Sequence, residues 1–394
     1  MHLNKTQEKI VRILFYQWNA YNLYDIKETL SALGHEVVML DKPIPHIEKD
    51  DTYTDWLADS LKKASFDIVF SINFFPVLAT ACHESATLYV CWNCDSPLLA
   101  MYHQAVFYPT NFIFTFDRTN VEEMHALGVK NVFHLPLAAA AKRLNTQIDK
   151  TKEMLYPVSF IGRLYEKNSY DRIAAKLPDY LAGYLECAMN AQLAVSDGNL
   201  FDLLLTDEIC DRLEEITDYR QSDDSFADIR MLFATTVLGF KTASMERIRN
   251  LNALSLSGSK VHLFTDSTTD PLVGVTIHPS VDYLSQMPQI FYQSGINLNM
   301  TIPNIKSGIP LRVWDILGSQ SFLLTNYQSE LCEHFTPGKH FAIFESKEDL
   351  TAKVDFYLRH DTLRQKIALT GWEAIQKDHT YEQRIRQIMQ IIQQ

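Results

Sequence analysis

Short, nearly continuous apolar runs alternate with amphipathic stretches over residues 11–134. Val11–Tyr16 (VRILFY), Glu36–Leu40 (EVVML), Asp67–Ile72 (DIVFSI), Thr87–Trp92 (TLYVCW), Asn111–Phe116 (NFIFTF) and Asn131–His134 (NVFH) each have strand length. Runs without strict polar alternation suit strands covered on both faces, and the stretches between them supply the crossover helices of βαβ units. Gly34 and Gly128 follow the helical patterns ending SAL and HAL, where a helix commonly closes on a left-handed residue. The pattern predicts a doubly wound parallel sheet for residues 1–137.

Residues 138–156 carry no strand pattern and lead into Pro157, so they read as a linker. A second series follows: Val158–Ile161, Lys260–Thr265, Val275–His278, Ile296–Met300, Ser321–Thr325 and Phe341–Phe344. This predicts a second domain of the same α/β class over 157–380. The stretch 170–256 breaks the spacing, being leucine-rich and poor in strand signals, and is expected to be a helical insertion. Its acids Asp207, Glu208, Asp211, Glu214 and Glu215 fit a solvated helix face rather than a metal site. Lys347–His360, Asp361–Lys377 and Tyr381–Gln394 read as three successive helices, the last (381–394) placed to fold back on the first domain.

Composition narrows the function. Of 394 residues, 46% are hydrophobic and 21% charged, which suits a packed globular chain. The formal charge, 36 − 48 = −12, disfavours nucleic acid or an anionic membrane as the main partner. No apolar run reaches the ~20 residues of a membrane helix. The opening MHLNKTQEKIVRILFYQWN has neither the apolar core nor the cleavage site of a secretory signal. The six cysteines read as free thiols, and the expected location is the cytoplasm.

The segment INLNMTIPNIKSGIPLRVWDILGSQSFLLTN (296–326) is the most informative. A strand end is followed by a polar turn, and Ser307–Gly308 precede a helix with Pro310 at its start. A helix amino terminus beyond strand carboxyl ends offers N–H groups and a positive dipole to phosphate. Arg312 lies in the first turn, where its planar fork suits a diphosphate. Asp315, one turn on, could accept from ribose hydroxyls or simply pair with Arg312.

This segment, with HFTPGKHFAIFESKEDLTAKVDFYLRH and GWEAIQKDHTYEQRI, resembles the C-terminal half of the CgeB-type (spore-maturation-like) bacterial glycosyltransferases. SINFFP, CWNCDSP, FHLPLAA and FIGRLYEKNSYDR resemble the N-terminal half and junction of the same family, so the likeness spans nearly the whole chain. The resemblance implies a GT-B fold, two Rossmann-like domains facing a cleft. It also implies a glycosyltransferase of hexosyltransferase type, moving a sugar from a UDP-sugar without a metal or other cofactor. The acceptor, protein or polysaccharide, would lie against the N-terminal domain. The family's R-x-x-E/D element falls on Arg312 and Asp315, with Asp where many relatives have Glu. The glycine turn facing the diphosphate falls on Gly162, beside Arg163 and Tyr165.

Around that core, Asn299, Thr301, Lys306, Ser307 and Gly308 are further donor-binding expectations. Thr265, Asp266 and Pro279–Tyr283 are expected near the base. Without a metal, Arg312, Arg163 and Lys306 with the helix terminus must stabilise the leaving diphosphate. Asp95, after TLYVCW, is the expected base of an inverting reaction, and its alternative role is a helix cap. Asp117 ranks lower because it heads a helix, and His83, His103 and His134 rank lower still. Cys91-x-x-Cys94 lacks a second pair for zinc. No phosphate-binding G-x-x-x-x-G-K-[ST], nucleophile elbow, H-E-x-x-H or dinucleotide fingerprint occurs. A nucleotide-sugar epimerase and a non-catalytic scaffold subunit remain alternatives, and a homo-oligomer is left open.

Overall fold

The computed structural model describes residues 10–217 and 223–393. The first nine residues and Gln394, the end of the expected last helix, lie outside them.

The first sheet contains β1 (Arg12–Tyr16), β2 (Glu36–Leu40), β3 (Ile68–Ile72), β4 (Leu88–Asn93), β5 (Asn111–Thr115) and β6 (Val132–His134). All pairs are parallel, in the order β2-β1-β3-β4-β5-β6. Each strand agrees with its apolar run to within a residue or two, because strands covered on both faces need no polar positions. Every residue of β3 is buried.

The second sheet contains β7 (Tyr156–Ile161), β8 (Val261–Phe264), β9 (Thr276–His278), β10 (Ser294–Asn299), β11 (Leu323–Asn326) and β12 (Ala342–Phe344). It too is parallel, in the order β12-β11-β10-β7-β8-β9. The direction of winding reverses between β7 and β10. In open sheets of this kind, ligands bind beyond the strand ends at such a reversal.

The linker is partly ordered as the helix Ala141–Gln147. The stretch 170–256 divides in two. Helices from Ser169 to Thr217 build their own small core around Leu181, Leu185, Phe201 and Leu213. The helix Leu238–Leu256 instead carries Leu251 and Leu254 into the core of the second sheet, so it is the crossover between β7 and β8. The acidic face at 207–215 is exposed, as expected. Asp50 caps the helix Asp51–Lys63 by accepting from the Tyr53 N–H at 2.9 Å.

The helix Tyr381–Ile392 crosses to the first domain and buries Ile385, Ile388 and Met389 in one core with Trp92, Phe114 and Leu135. Arg384 Nε donates to the Pro136 carbonyl at 3.0 Å beside it. No helix among the described residues is long and apolar enough to cross a membrane.

Candidate active site

Two arginines meet where the second sheet reverses. Arg312, in the first turn of the helix Leu311–Gly318, donates from Nη1 to Asn299 Oδ1 at 3.0 Å, at the end of β10. Its guanidinium lies 5.0 Å from the Phe160 ring centroid in β7. Arg247, from the crossover helix, reaches the same ring at 5.2 Å and lies 4.6 Å from the Tyr165 ring centroid. It donates to the carbonyls of Arg163 at 2.5 Å and Met300 at 3.2 Å. Among the described residues neither guanidinium has a carboxylate within 4.0 Å, although Arg247 is only 3% exposed. Burial, with repulsion from Arg247 next, lowers Arg312 to about 10, and it remains charged at neutral pH. Two guanidiniums over one ring, Arg247 buried and neither bonded to a carboxylate, repel each other, and an anion between or above them would relieve that cost.

Gly162 makes the arrangement possible. Its φ is 156°, and a Cβ there would stand 2.7 Å from Arg312 Nη2. The loop it opens is zipped to the loop after β8. Leu164 N–H donates to Ser267 Oγ at 2.9 Å, and Thr268 N–H to Glu166 Oε1 at 2.8 Å. Tyr165 takes a left-handed backbone (φ 55°) and stacks on Phe240 with centroids 5.0 Å apart. Arg163 is exposed and faces Asp266 at 3.4 Å. Thr265 is buried, its Oγ1 accepting from the Ser267 N–H at 3.0 Å.

Asn299 and Thr301 form one network with Arg312. Asn299 Nδ2 donates to Thr301 Oγ1 and to Thr325 Oγ1, each at 2.9 Å, which aims Oδ1 at the guanidinium. Asp315 is 2% exposed and accepts from the Tyr283 hydroxyl at 3.0 Å. Burial raises it to about 7 despite Arg143 and Tyr283. It is therefore covered, and it holds Tyr283 rather than presenting a carboxylate to a ribose. Tyr283 in turn meets Tyr21 of the first domain, with centroids 5.2 Å apart. Behind them Arg143 makes two bonds to Asp25, at 2.8 and 2.9 Å.

Three expected donor contacts face the other domain instead. Lys306 Nζ lies between Glu123 at 2.5 Å and Asp202 at 2.6 Å, so two carboxylates already neutralise the charge expected to stabilise a diphosphate. Ser307 Oγ donates to Asp117 Oδ1 at 2.8 Å or Glu330 Oε1 at 2.7 Å. A Cβ on Gly308 would strike Phe116, whose Cδ2 would be 2.7 Å away, so glycine is required there for domain contact. Asp117 does not cap its own helix. It accepts from the Lys306 N–H at 2.9 Å and from Ser96 Oγ at 2.9 Å. Glu330, 1% exposed, accepts from His134 Nε2 at 2.8 Å and the Arg118 N–H at 2.9 Å. Burial pushes Glu330 upward, but the bonds from His134, Ser307 and Arg118 outweigh it and hold it below its ordinary value.

Asp95 is exposed at the end of β4 and accepts from Asn73 Nδ2 at 2.7 Å. It caps no helix, since the next short helix, Leu99–Met101, starts from Leu98. His83 stacks on Tyr108, and His103 accepts from the Ala105 N–H, both on the first domain away from the arginines. Arg247 was not legible in the sequence, because its helix falls inside the stretch read as an insertion. In KTASMERIRNLNAL, Arg247 stands beside Glu246 and two residues before Arg249, so nothing local sets it apart.

Residues 244–390 match the family described as "Glycosyl transferase-like". That match includes Arg247 and Arg312. The chain is similar in fold to a glycosyltransferase from Rickettsia africae, at 9% identity and a TM-score of 0.52, covering 97% of this chain and 98% of that one. It is likewise similar to HepE from Anabaena in complex with UDP, at 8% identity and a TM-score of 0.52, covering 98% and 100%. Sucrose-phosphate synthase from Thermosynechococcus elongatus aligns at 10% identity and a TM-score of 0.51, covering 97% and 98%. No curated protein sequence matches. These likenesses establish the GT-B fold.

Proposed function

We propose that the protein is a glycosyltransferase of the CgeB type that binds a UDP-sugar on its second domain and an acceptor, protein or polysaccharide, against the first. The observation that carries this reading is the Arg247–Arg312 pair at the sheet reversal, over the Gly162 turn, with no carboxylate of the described residues within 4.0 Å of either guanidinium. A diphosphate supplies the missing negative charge, and the amino end of the helix Leu311–Gly318 adds N–H donors. The family match over this half and the UDP-bound neighbour of the same fold support a nucleotide-sugar donor.

On this reading the base rests near the loops after β8 and β9, with Thr265 and Pro279–Tyr283. Asp315 acts through Tyr283, whose hydroxyl it holds. As the sugar leaves, charge builds on the diphosphate, and the two guanidiniums and the helix terminus stabilise it without a metal. Asp95, just beyond the end of β4 in the first sheet and oriented by Asn73, takes the acceptor proton in an inverting reaction.

The test is calorimetric titration with UDP, with and without EDTA. Removing a charge-assisted bond of ~1.5–3 kcal/mol predicts that Arg312→Ala weakens UDP about 10- to 150-fold. Equal UDP affinity in both proteins would remove the basis of the assignment, and loss of binding in EDTA would show a metal requirement.

A further inference from the structure

A polar cavity lies beyond the ends of β10 and β11, across β7 from the β8 and β9 loops. Its walls include Thr242 and Glu246 of the crossover helix, Thr301 after β10, Asn326 and Gln328 at and after β11, and Asp197 of the insertion. Thr242 is 1% exposed and Gln328 is 3% exposed. Yet Thr242 Oγ1 and Gln328 Oε1 are buried with no hydrogen-bond partner among the described residues. Buried polar atoms are nearly always paired, so two orphans on one cavity wall call for a ligand group. Glu246 also has no hydrogen bond or ion pair among the described residues, and burial raises it to about 7.

The enclosed space is about 30 Å³, room for two or three water-sized groups. That suits the hydroxyls along one edge of a pyranose. Thr301 ties the cavity to the arginines. Its Oγ1 accepts from Asn299, the partner of Arg312, and its N–H donates to Asn326 Oδ1 at 3.0 Å.

The strand order makes this position meaningful. Across β8, β7, β10 and β11, the base loops, the arginine pair and this cavity follow one another. A nucleoside diphosphate sugar laid over the sheet with its diphosphate at the arginines puts its sugar here. We propose that this cavity is the donor-sugar subsite, that Glu246 accepts from a sugar hydroxyl there, and that the sugar is uncharged. The proposal rests on the nucleotide-sugar reading above. A uronate would set its carboxylate against Glu246 and Asp197, whereas a neutral hexose or N-acetylhexosamine supplies the donors that Gln328 Oε1 and Glu246 lack.

The experiment is calorimetric titration of the full chain and of Glu246→Gln with UDP, UDP-glucose, UDP-N-acetylglucosamine and UDP-glucuronate. At pH 8, where Glu246 is mostly ionised, losing one hydrogen bond to its carboxylate is worth about tenfold or more. The wild type should therefore bind a neutral UDP-sugar more tightly than UDP. Glu246→Gln should lose about tenfold of that gain, read within each protein as the ratio of its UDP-sugar affinity to its UDP affinity. UDP-glucuronate should bind the wild type no more tightly than UDP. No gain from either neutral sugar, an equal gain in both proteins, or a preference for the uronate would each overturn the subsite. Failure of the wild type to bind UDP would instead overturn the donor reading on which the subsite rests.

Discussion

Replacing Gly162 by alanine tests the arginine site without removing a charge or a hydrogen-bond donor. The new methyl would sit 2.7 Å from Arg312 Nη2 and 3.4 Å from Phe160 Cζ. Neither side-chain approach is to rigid backbone, so the guanidinium is the part that yields. It would leave its bond to Asn299 and its place over Phe160. The positive φ adds backbone strain of about 1 kcal/mol, which lowers stability but leaves the fold intact. Displacing Arg312 forfeits part of a charge-assisted contact of ~1.5–3 kcal/mol, so UDP binding should weaken about tenfold. The assay is calorimetry on four proteins: wild type, Gly162→Ala, Arg312→Ala and the double variant. If Gly162 acts through Arg312, the alanine costs less than about twofold once Arg312 is gone, a coupling that only neighbouring sites show. Additive losses, or a Gly162→Ala protein that binds UDP as well as wild type, would refute the reasoning.

Three further outcomes follow from buried charges. Asp315 is raised from 3.8 to about 7. Its protonated form is therefore the one favoured by folding, and wild-type stability falls as pH climbs through that interval, then stays flat above it. The ceiling on that loss is on the order of 4 kcal/mol, and Asp315→Asn lacks it. Urea unfolding at pH 5 and pH 8 should show the variant gaining on wild type at the higher pH, and a pH-independent difference would contradict this. Arg143→Ala leaves Asp25, 5% exposed, without its two bonds, and should destabilise by ~3–5 kcal/mol in thermal or urea unfolding. Asp117→Ala removes the acceptor of the Lys306 N–H and should raise hydrogen exchange at Lys306 and Ser307, with unchanged exchange counting against an interdomain clamp.

The strands were legible because parallel sheets covered on both faces write themselves as apolar runs, and β3 reads IVFSI with every residue buried. The helix carrying Arg312 announced itself through Pro310 and the preceding Ser–Gly. What the sequence concealed was direction. Lys306 and Ser307 have the chemistry of phosphate ligands, but their partners Glu123, Asp202 and Asp117 lie far away in the chain. No local pattern reports such distant pairing. Asp117 looked like an ordinary helix start for the same reason. Arg247 was missed because the hydrophobic pattern of its helix is weak, which hid the return from insertion to sheet. Its role depends on Phe160, Arg163 and Met300, none of them near it in sequence.

The crossing helix has a consequence for synthesis. Trp92, Phe114 and Leu135 are covered by Ile385, Ile388 and Met389, yet β6 ends at His134. A ribosome adding ~5–20 residues per second needs on the order of tens of seconds to travel from one to the other. Throughout that interval one flank of the nascent first sheet is sticky and unshielded. The protein should therefore depend on chaperone holding during translation. A fragment stopping before Thr380 should be recovered in inclusion bodies rather than as a stable half.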